Sequence, residues 1–357
     1  MKNMKKETKQ MLVTIAMVIV FYAIIEIASL AGGISNHVAG LLVPICVYTL
    51  GAIGLNLCVG YLGELSLGHA GFMCLGAFSS SLFSVIFKDA LPDGLRFFLA
   101  LVVGAAVAAI FGFLIAIPVL RLRGDYLAIV TLAFGEIIKN IINTVYVIKD
   151  SNGIHVTLGD AAPVGLAADA KVLLNGPQGI TGTPKQATFT VGIILIILMI
   201  VVVSNFVNSR TGRAVKAIRD NRIAAETVGI SITKYKLIAF TISAAIAGIG
   251  GVLYAHNLNS LTAKGFNYNM SILILVYVVL GGIGSIRGGI IATVILYALP
   301  ELLRGLADYR MLIYSIVLIG LMIFNWSPAI RTWREVHGLN AAGIKKLLHI
   351  GKEKEVQ

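Results

Sequence analysis

The chain has 357 residues, of which 57% are hydrophobic and 13% charged, and its mean hydropathy is +0.89. Soluble domains carry about 25% charged residues, and this little polar surface could not cover a soluble core of that size. A cytosolic enzyme, a nucleic-acid binder and a disordered chain are therefore excluded, despite a formal charge of +12.

Taken in chain order, the apolar stretches fall at 11–31, 38–59, 66–87, 95–119, 126–148, 188–207, 236–256, 270–300 and 311–326. The first is too long for a signal-peptide core and reads as a retained span behind the arm 1–10. Several others are rich in Gly, Ala and Ser, as closely packed membrane helices are. The region 149–187 has Gly, Pro and Asp throughout and reads as one long external loop. Polar segments follow at 208–235 and in the tail 327–357. Cys46, Cys58 and Cys74 lie in apolar runs without metal or redox spacing and read as buried thiols.

Orientation follows from Lys and Arg. Lys2, Lys5, Lys6 and Lys9 mark the N-terminus, Arg210 to Lys236 the middle loop, and Arg331 to Lys354 the tail. The positive-inside rule places all three in the cytoplasm. A single span over 270–300 would put the tail outside. Splitting it at Gly281–Gly289 restores parity and creates two short helices, tolerable only when buried or lining a cavity. The expected fold is an all-α polytopic membrane protein. It has about ten membrane-crossing segments, some short and Gly-broken, with both termini cytoplasmic and a permease domain over 11–326.

A repeat supports the split. Residues 59–71 and 280–292 align at an offset of 221, matching Gly60, Gly63 and Gly68 to Gly281, Gly284 and Gly289. By parity both segments lie on the same side, which makes the repeat parallel. Gly-broken segments at matching positions point to a transport path, although 38 glycines also make chance matches easy.

No phosphate-loop motif, metal-ligand spacing or paired catalytic acid is visible. The segment 211–229 reads as an amphipathic helix. Ala214, Val215, Ala217, Ile218, Ala225 and Val228 lie on one face and Arg213, Lys216, Arg219, Asp220 and Glu226 on the other. Arg222 and Glu226 form an i,i+4 pair and Gly229 ends the helix. Such a helix can lie on anionic lipid, dock into a partner or cover its own membrane domain. Its small apolar face favours docking. Among ionisable residues in apolar surroundings, Glu136 and Lys139 are spaced to neutralise each other. Asp125 is placed to pair with Arg121 or Arg123, and Glu301 follows Pro300 near an external helix end. Glu64 and His69 lie in a Gly-rich stretch and are candidates for the path, although a lone His there is more often a satisfied packing residue.

Five segments together resemble a known family: GYLGELSLGHAGFMCLGAF (60–78), LRLRGDYLAIVTLAFGEIIKNIIN (120–143), GPQGITGTP (176–184), the stretch 209–255 with AIRDNRIAAETVGI, and 271–304 continued by 308–324. The chain resembles the permease subunit, in its longer form, of ABC importers for branched-chain amino acids.

That resemblance implies a multi-pass cell-membrane protein without catalytic residues. Its partners would be a second related permease, two cytoplasmic ATP-binding subunits, an external substrate-binding protein and the bilayer, with no nucleic acid. This chain would carry no cofactor or metal; ATP and Mg would sit on the partner ATPases. The family's ATPase-coupling loop maps onto Gly212, Arg213, Ala217, Ile218, Arg219, Ala224, Ala225, Glu226 and Gly229. Translocation-path candidates are Gly60, Gly63, Glu64, Ser66, Gly68, His69, Gly281, Gly282, Gly284 and Gly289. The competing readings are the same architecture importing urea or short amides, and an ion-coupled secondary transporter using Glu64 or Glu136.

Overall fold

The protein is described from a computed structural model covering residues 6–33, 35–88, 90–122, 124–150, 153–159, 171–303 and 309–326. The tail 327–357, residues 1–5 of the N-terminal arm, residues 160–170 of the loop 149–187 and Arg123 lie outside the described residues. The chain divides into two compact units, Met1–Ile295 and Leu296–Gln357. Twelve α-helices are present among the described residues. They are α1 Lys6–Leu30, α2 Asn36–Asn56, α3 His69–Ile86, α4 Asp93–Val119, α5 Asp125–Thr144, α6 Phe189–Asn208, α7 Arg210–Asp220, α8 Arg222–Thr227, α9 Ile232–Ala255, α10 Tyr268–Gly281, α11 Ile286–Leu302 and α12 Arg310–Trp326. In the second unit the described residues are the end of α11 and α12.

Local chemistry sets many of the boundaries. Ser35, Thr188, Ser209, Asn221 and Asn267 cap α2, α6, α7, α8 and α10, each accepting a backbone N–H three residues on. Such caps satisfy donors that the first helical turn leaves open. Among the described residues eight helices are long and apolar enough to cross a membrane. The expected split of 270–300 is present: α10 ends at Gly281 and α11 begins at Ile286. At 14 and 17 residues, these helices are about 21 and 26 Å long, and only with the 3-10 turn Ala263–Gly265 before it does the α10 segment reach the length of a span.

The centre of the first unit is α9, packed against α2, α3 and α4. On α4, Ala100, Gly104, Ala108, Gly112 and Ala116 form one buried stripe, while Phe98, Val102 and Ile110 point outward. A four-residue spacing keeps the small residues on one face. They let helices approach to backbone contact: a Cβ on Gly251 would lie 1.9 Å from the Met73 carbonyl oxygen, and one on Gly76 would lie 2.6 Å from Gly248 Cα. In lipid, where apolar burial gives no drive between helices, such close packing holds them together.

Three sequence expectations are corrected. The apolar run 126–148 is not one helix, because α5 ends at Thr144 and a strand, β1 (Val145–Asp150), follows. Its Val and Ile residues are as apolar as a helix but β-branched, which suits a pleated surface. The loop 149–187 is partly a sheet: β1 pairs with β2 (Gly153–Leu158) and with β3 (Lys171–Asn175), all antiparallel. Beyond them β4 (Ile180–Thr181) pairs with β5 (Ser260–Leu261). Lys236, counted above among the residues of a basic loop, lies inside α9 and is buried.

Candidate functional site

The last turn of α2 widens into a six-residue π-helix, Leu57–Leu62. Such turns break the regular bonding ladder and mark functional positions in many helices. Gly63, at φ +78°, ends it. The second break, between α10 and α11, turns at Gly282 and Gly284, with φ of +95° and +82°. Only glycine takes that left-handed backbone without strain. Gly63 and Gly284 are equivalent in the 221-residue repeat and both take a positive φ, although the first break is a π-helix and the second a turn between two α-helices.

The two breaks touch. A Cβ on Gly60 would lie 2.5 Å from Gly284 N and 2.2 Å from Asn56 Oδ1. Gly284 N–H donates to Asn56 Oδ1 at 2.9 Å. The Asn56 amide nitrogen is buried and has no partner among the described residues. An unpartnered buried donor costs about 1–3 kcal/mol, so this junction holds a polar group that the packing alone leaves unsatisfied.

Charged residues tie the amphipathic segment to the first break. Arg219 on α7 donates from Nη1 to the Gly60 carbonyl oxygen at 2.8 Å. Its Nε and Nη2 donate to Asp220 Oδ1 at 3.0 and 2.8 Å, which fixes the guanidinium plane. The Arg219 stem lies over Gly63, where a Cβ would meet its Cγ at 2.6 Å. Lys216 stands 5.9 Å above the Tyr61 ring. From α9, Lys236 donates to Glu64, with side chains 4% and 14% exposed. Removing either partner of so buried a pair strands the other charge.

The site candidates therefore separate into two groups. Gly60, Gly63, Glu64, Gly281, Gly282, Gly284 and Gly289 belong to or flank the two breaks. Ser66 and Gly68 lie in the non-helical stretch that leads from the first break to α3, and His69 opens α3. His69 is buried, with Nε2 2.9 Å from Ser243 Oγ and Nδ1 3.5 Å from Ser66 Oγ, while Ser243 donates to the Gly54 carbonyl. Gly68 packs on Thr131, whose hydroxyl accepts Leu67 N–H. His69 is thus a satisfied packing residue. Glu64 has a cationic partner 172 residues away in sequence. The expected Glu136–Lys139 pair is present, and Glu136 also accepts Tyr268 N–H at 3.0 Å. Asp125 makes no ion pair with Arg121 among the described residues.

The expected single helix over 211–229 is two. Asn221 ends α7 at φ −155° and ψ 105°, then caps α8 by accepting Ala224 N–H at 3.0 Å. The break redistributes the predicted face. Val215, Ile218 and Ala225 are buried against the protein's own helices, and Gly212 packs on Phe206 and Val207. Val228, expected on that face, is 74% exposed, beside Ile223 at 76%. Arg213, Ala224, Glu226 and Gly229 are also exposed, and Ala217 is half-buried. Covering its own membrane domain is therefore what α7 does, whereas α8 presents an open surface. Asn56, Thr131 and Asn221 were missed in the sequence. The Asn in the apolar run 38–59 was the available signal.

The breaks border a polar cavity of about 410 Å³ lined by Tyr61, Lys216, Gly284, Ser285 and Arg287 among others. Long apolar helices, two of them Gly-broken and in contact with each other, with the helix pair α7–α8 bonded to the first break, describe a multi-pass membrane protein. The chain belongs to the family described as the permease component of branched-chain amino acid transport systems, which it matches over residues 37–325. It is thus a permease component of the ABC importer class. It is 36% identical over 292 residues to the high-affinity branched-chain amino acid transport system permease protein LivM of Salmonella typhimurium, covering 79% of this chain and 67% of that protein. To LivM of Escherichia coli it is 35% identical with the same coverage. A fructose import permease protein, FruG of Bifidobacterium longum, is 27% identical over 147 residues, 39% of this chain and 42% of its own length. No solved structure matches the chain.

Proposed function

We propose that this chain forms one half of the membrane pathway of an ATP-driven importer that takes up leucine, isoleucine and valine. An external binding protein delivers the amino acid, and a second related permease completes the pathway. Two ATP-binding subunits, which carry ATP and Mg, dock on the basic side of the membrane against α8. The named relatives support the cargo, because both LivM proteins are described as branched-chain amino acid permeases.

The observation that carries the mechanism is the Arg219 bond to the Gly60 carbonyl. It links the segment proposed to meet the ATPases with the contact between the two broken helices. Movement of α8 on ATP binding would pass through α7 and Arg219 to Gly60, and from Gly60 to Gly284. ATP shifts the outward- and inward-open states only by its differential free energy for the two. A linkage through packed groups supplies that difference. A zwitterionic apolar cargo is met along such a path by exposed backbone groups of the breaks, and the two acids considered earlier, Glu64 and Glu136, are both neutralised by lysines. That pairing disfavours an ion-coupled secondary transporter.

The test is Glu226→Lys on the exposed face of α8. It leaves membrane insertion unchanged and lowers uptake about tenfold or more, the range of a typical coupling energy. Full uptake in this variant would contradict the assignment of α8 to the ATPase contact.

A further inference from the structure

The polar cavity lies at the basic end of α1, α6 and α11. Gln10, Met11 and Thr14 of α1 line it, with Ser204 and Asn208 of α6, Lys216 of α7, and Ser285 and Arg287 at the start of α11. Among the described residues two cations and no carboxylate line it. Arg287 donates only to neutral oxygens, from Nε to Thr14 Oγ1 at 2.7 Å and from Nη2 to the Gln10 carbonyl. Neither Arg287 nor Lys216 has an acidic partner among the described residues. The start of α11 adds the positive end of a helix dipole.

A second cavity, of about 200 Å³, lies further along the same three helices, with Ile45, Cys46 and Thr49 of α2 also in its wall. Met17, Val18 and Phe21 of α1 line it, with Ile193 and Ile196 of α6 and Ile290, Ile291, Val294 and Ile295 of α11. Its floor is buried, for Val18, Ile196 and Ile290 are each under a tenth exposed, whereas Ile291 and Ile295 at its lip are 44% and 54% exposed. At 1.5 Å per helical residue the centres of the two cavities are about 10–15 Å apart. An acyl chain spans that distance.

We infer that α1, α6 and α11 bind one anionic phospholipid, its phosphate held between Lys216 and Arg287 and an acyl chain laid in the apolar slot. A basic pocket between membrane helices selects anionic headgroups. An amino acid would leave its ammonium without a carboxylate among the lining residues, so the cavity does not suit the proposed cargo. A free phosphate would leave the slot empty. Because Tyr61 and Gly284 also line the headgroup cavity, the bound lipid braces the junction of the two broken helices. The site stands on the cavities and their charge and does not depend on the transport reading.

Native mass spectrometry of the detergent-purified chain with its accompanying subunits tests this. Phosphatidylglycerol is expected to bind about tenfold tighter than phosphatidylethanolamine of the same chains. Lys216→Gln with Arg287→Gln removes that preference. Val294→Trp fills the slot and lowers phosphatidylglycerol binding with the charges intact. An excess of inorganic phosphate does not displace the lipid. Equal retention of both lipids by the wild type, or displacement by phosphate alone, would overturn the proposal. Should the variants fail to fold, a phosphatidylglycerol with a photoreactive acyl chain is applied to the wild type. Labelling of Met17–Phe21 and Ile290–Ile295 supports the site. Labelling of the outward face of α4 at Phe98, Val102 and Ile110 instead contradicts it.

Discussion

Gly76, Gly104, Gly248 and Gly251 lie inside regular helices of the α3–α4–α9 core, where each admits a neighbouring backbone or side chain to within 3 Å of an absent Cβ. Gly63, Gly282 and Gly284 instead take a left-handed backbone and interrupt helices, and Gly60 joins the two interruptions. The first set makes a tight, apolar, regular bundle. The second set makes an irregular region supported by polar bonds from Asn56, Arg219 and Lys236. Packing of the first kind is stiff because backbones and short side chains fill every gap between the helices. The second kind exchanges ladder bonds for side-chain bonds, which can be remade in another arrangement. Rigidity and movement are thus placed in neighbouring parts of one bundle, joined through α9.

Substitutions sort the two regions by whether stability or uptake is lost. Gly251→Leu should have the largest effect, since a side chain there meets the Met73 backbone. Overpacking costs about 3 kcal/mol or more, and the amount of folded chain in the membrane should fall sharply. Lys236→Met should cost about 3 kcal/mol by stranding Glu64, whereas the double variant with Glu64→Leu should lose much less. Thermal melting of the purified protein distinguishes the two outcomes, and an equal loss would show that the pair is not a unit. Gly60→Ala is expected to keep the fold and lower uptake about tenfold, because the neighbouring Gly284 turn can give way only by shifting the junction. Gly94→Ala, where no atom lies within 4 Å, provides the control and should change neither quantity.

Much of this was legible from local pattern. Apolar runs located the helices, and the run Gly281–Gly289 located the break between α10 and α11, because closely spaced glycines weaken a helix and admit the positive φ that Gly282 and Gly284 take. The Glu136–Lys139 pair was legible from its spacing. What escaped was either short or distant in sequence. The strands after Thr144 are too brief and too apolar to separate from the helix before them. Asn221 falls inside the amphipathic run 211–229, where no periodicity marks it, although its side chain caps α8 and so ends α7. Arg219 and Gly60 are 159 residues apart, Glu64 and Lys236 172, and Asn56 and Gly284 228. No periodicity announces such partners; only the fold brings them together. The same holds for the stacked cavities along α1, α6 and α11.

The central claim is that the bond from Arg219 to Gly60 carries coupling from the soluble helices to the broken ones. The most direct measurement compares Arg219→Ala with the wild type in proteoliposomes holding the complete importer, recording leucine uptake and ATP hydrolysis together. The account predicts that hydrolysis continues while uptake falls about tenfold or more, with the amount of assembled complex unchanged. Uptake that keeps pace with hydrolysis in the variant would show that the bond is structural and that coupling travels by another route.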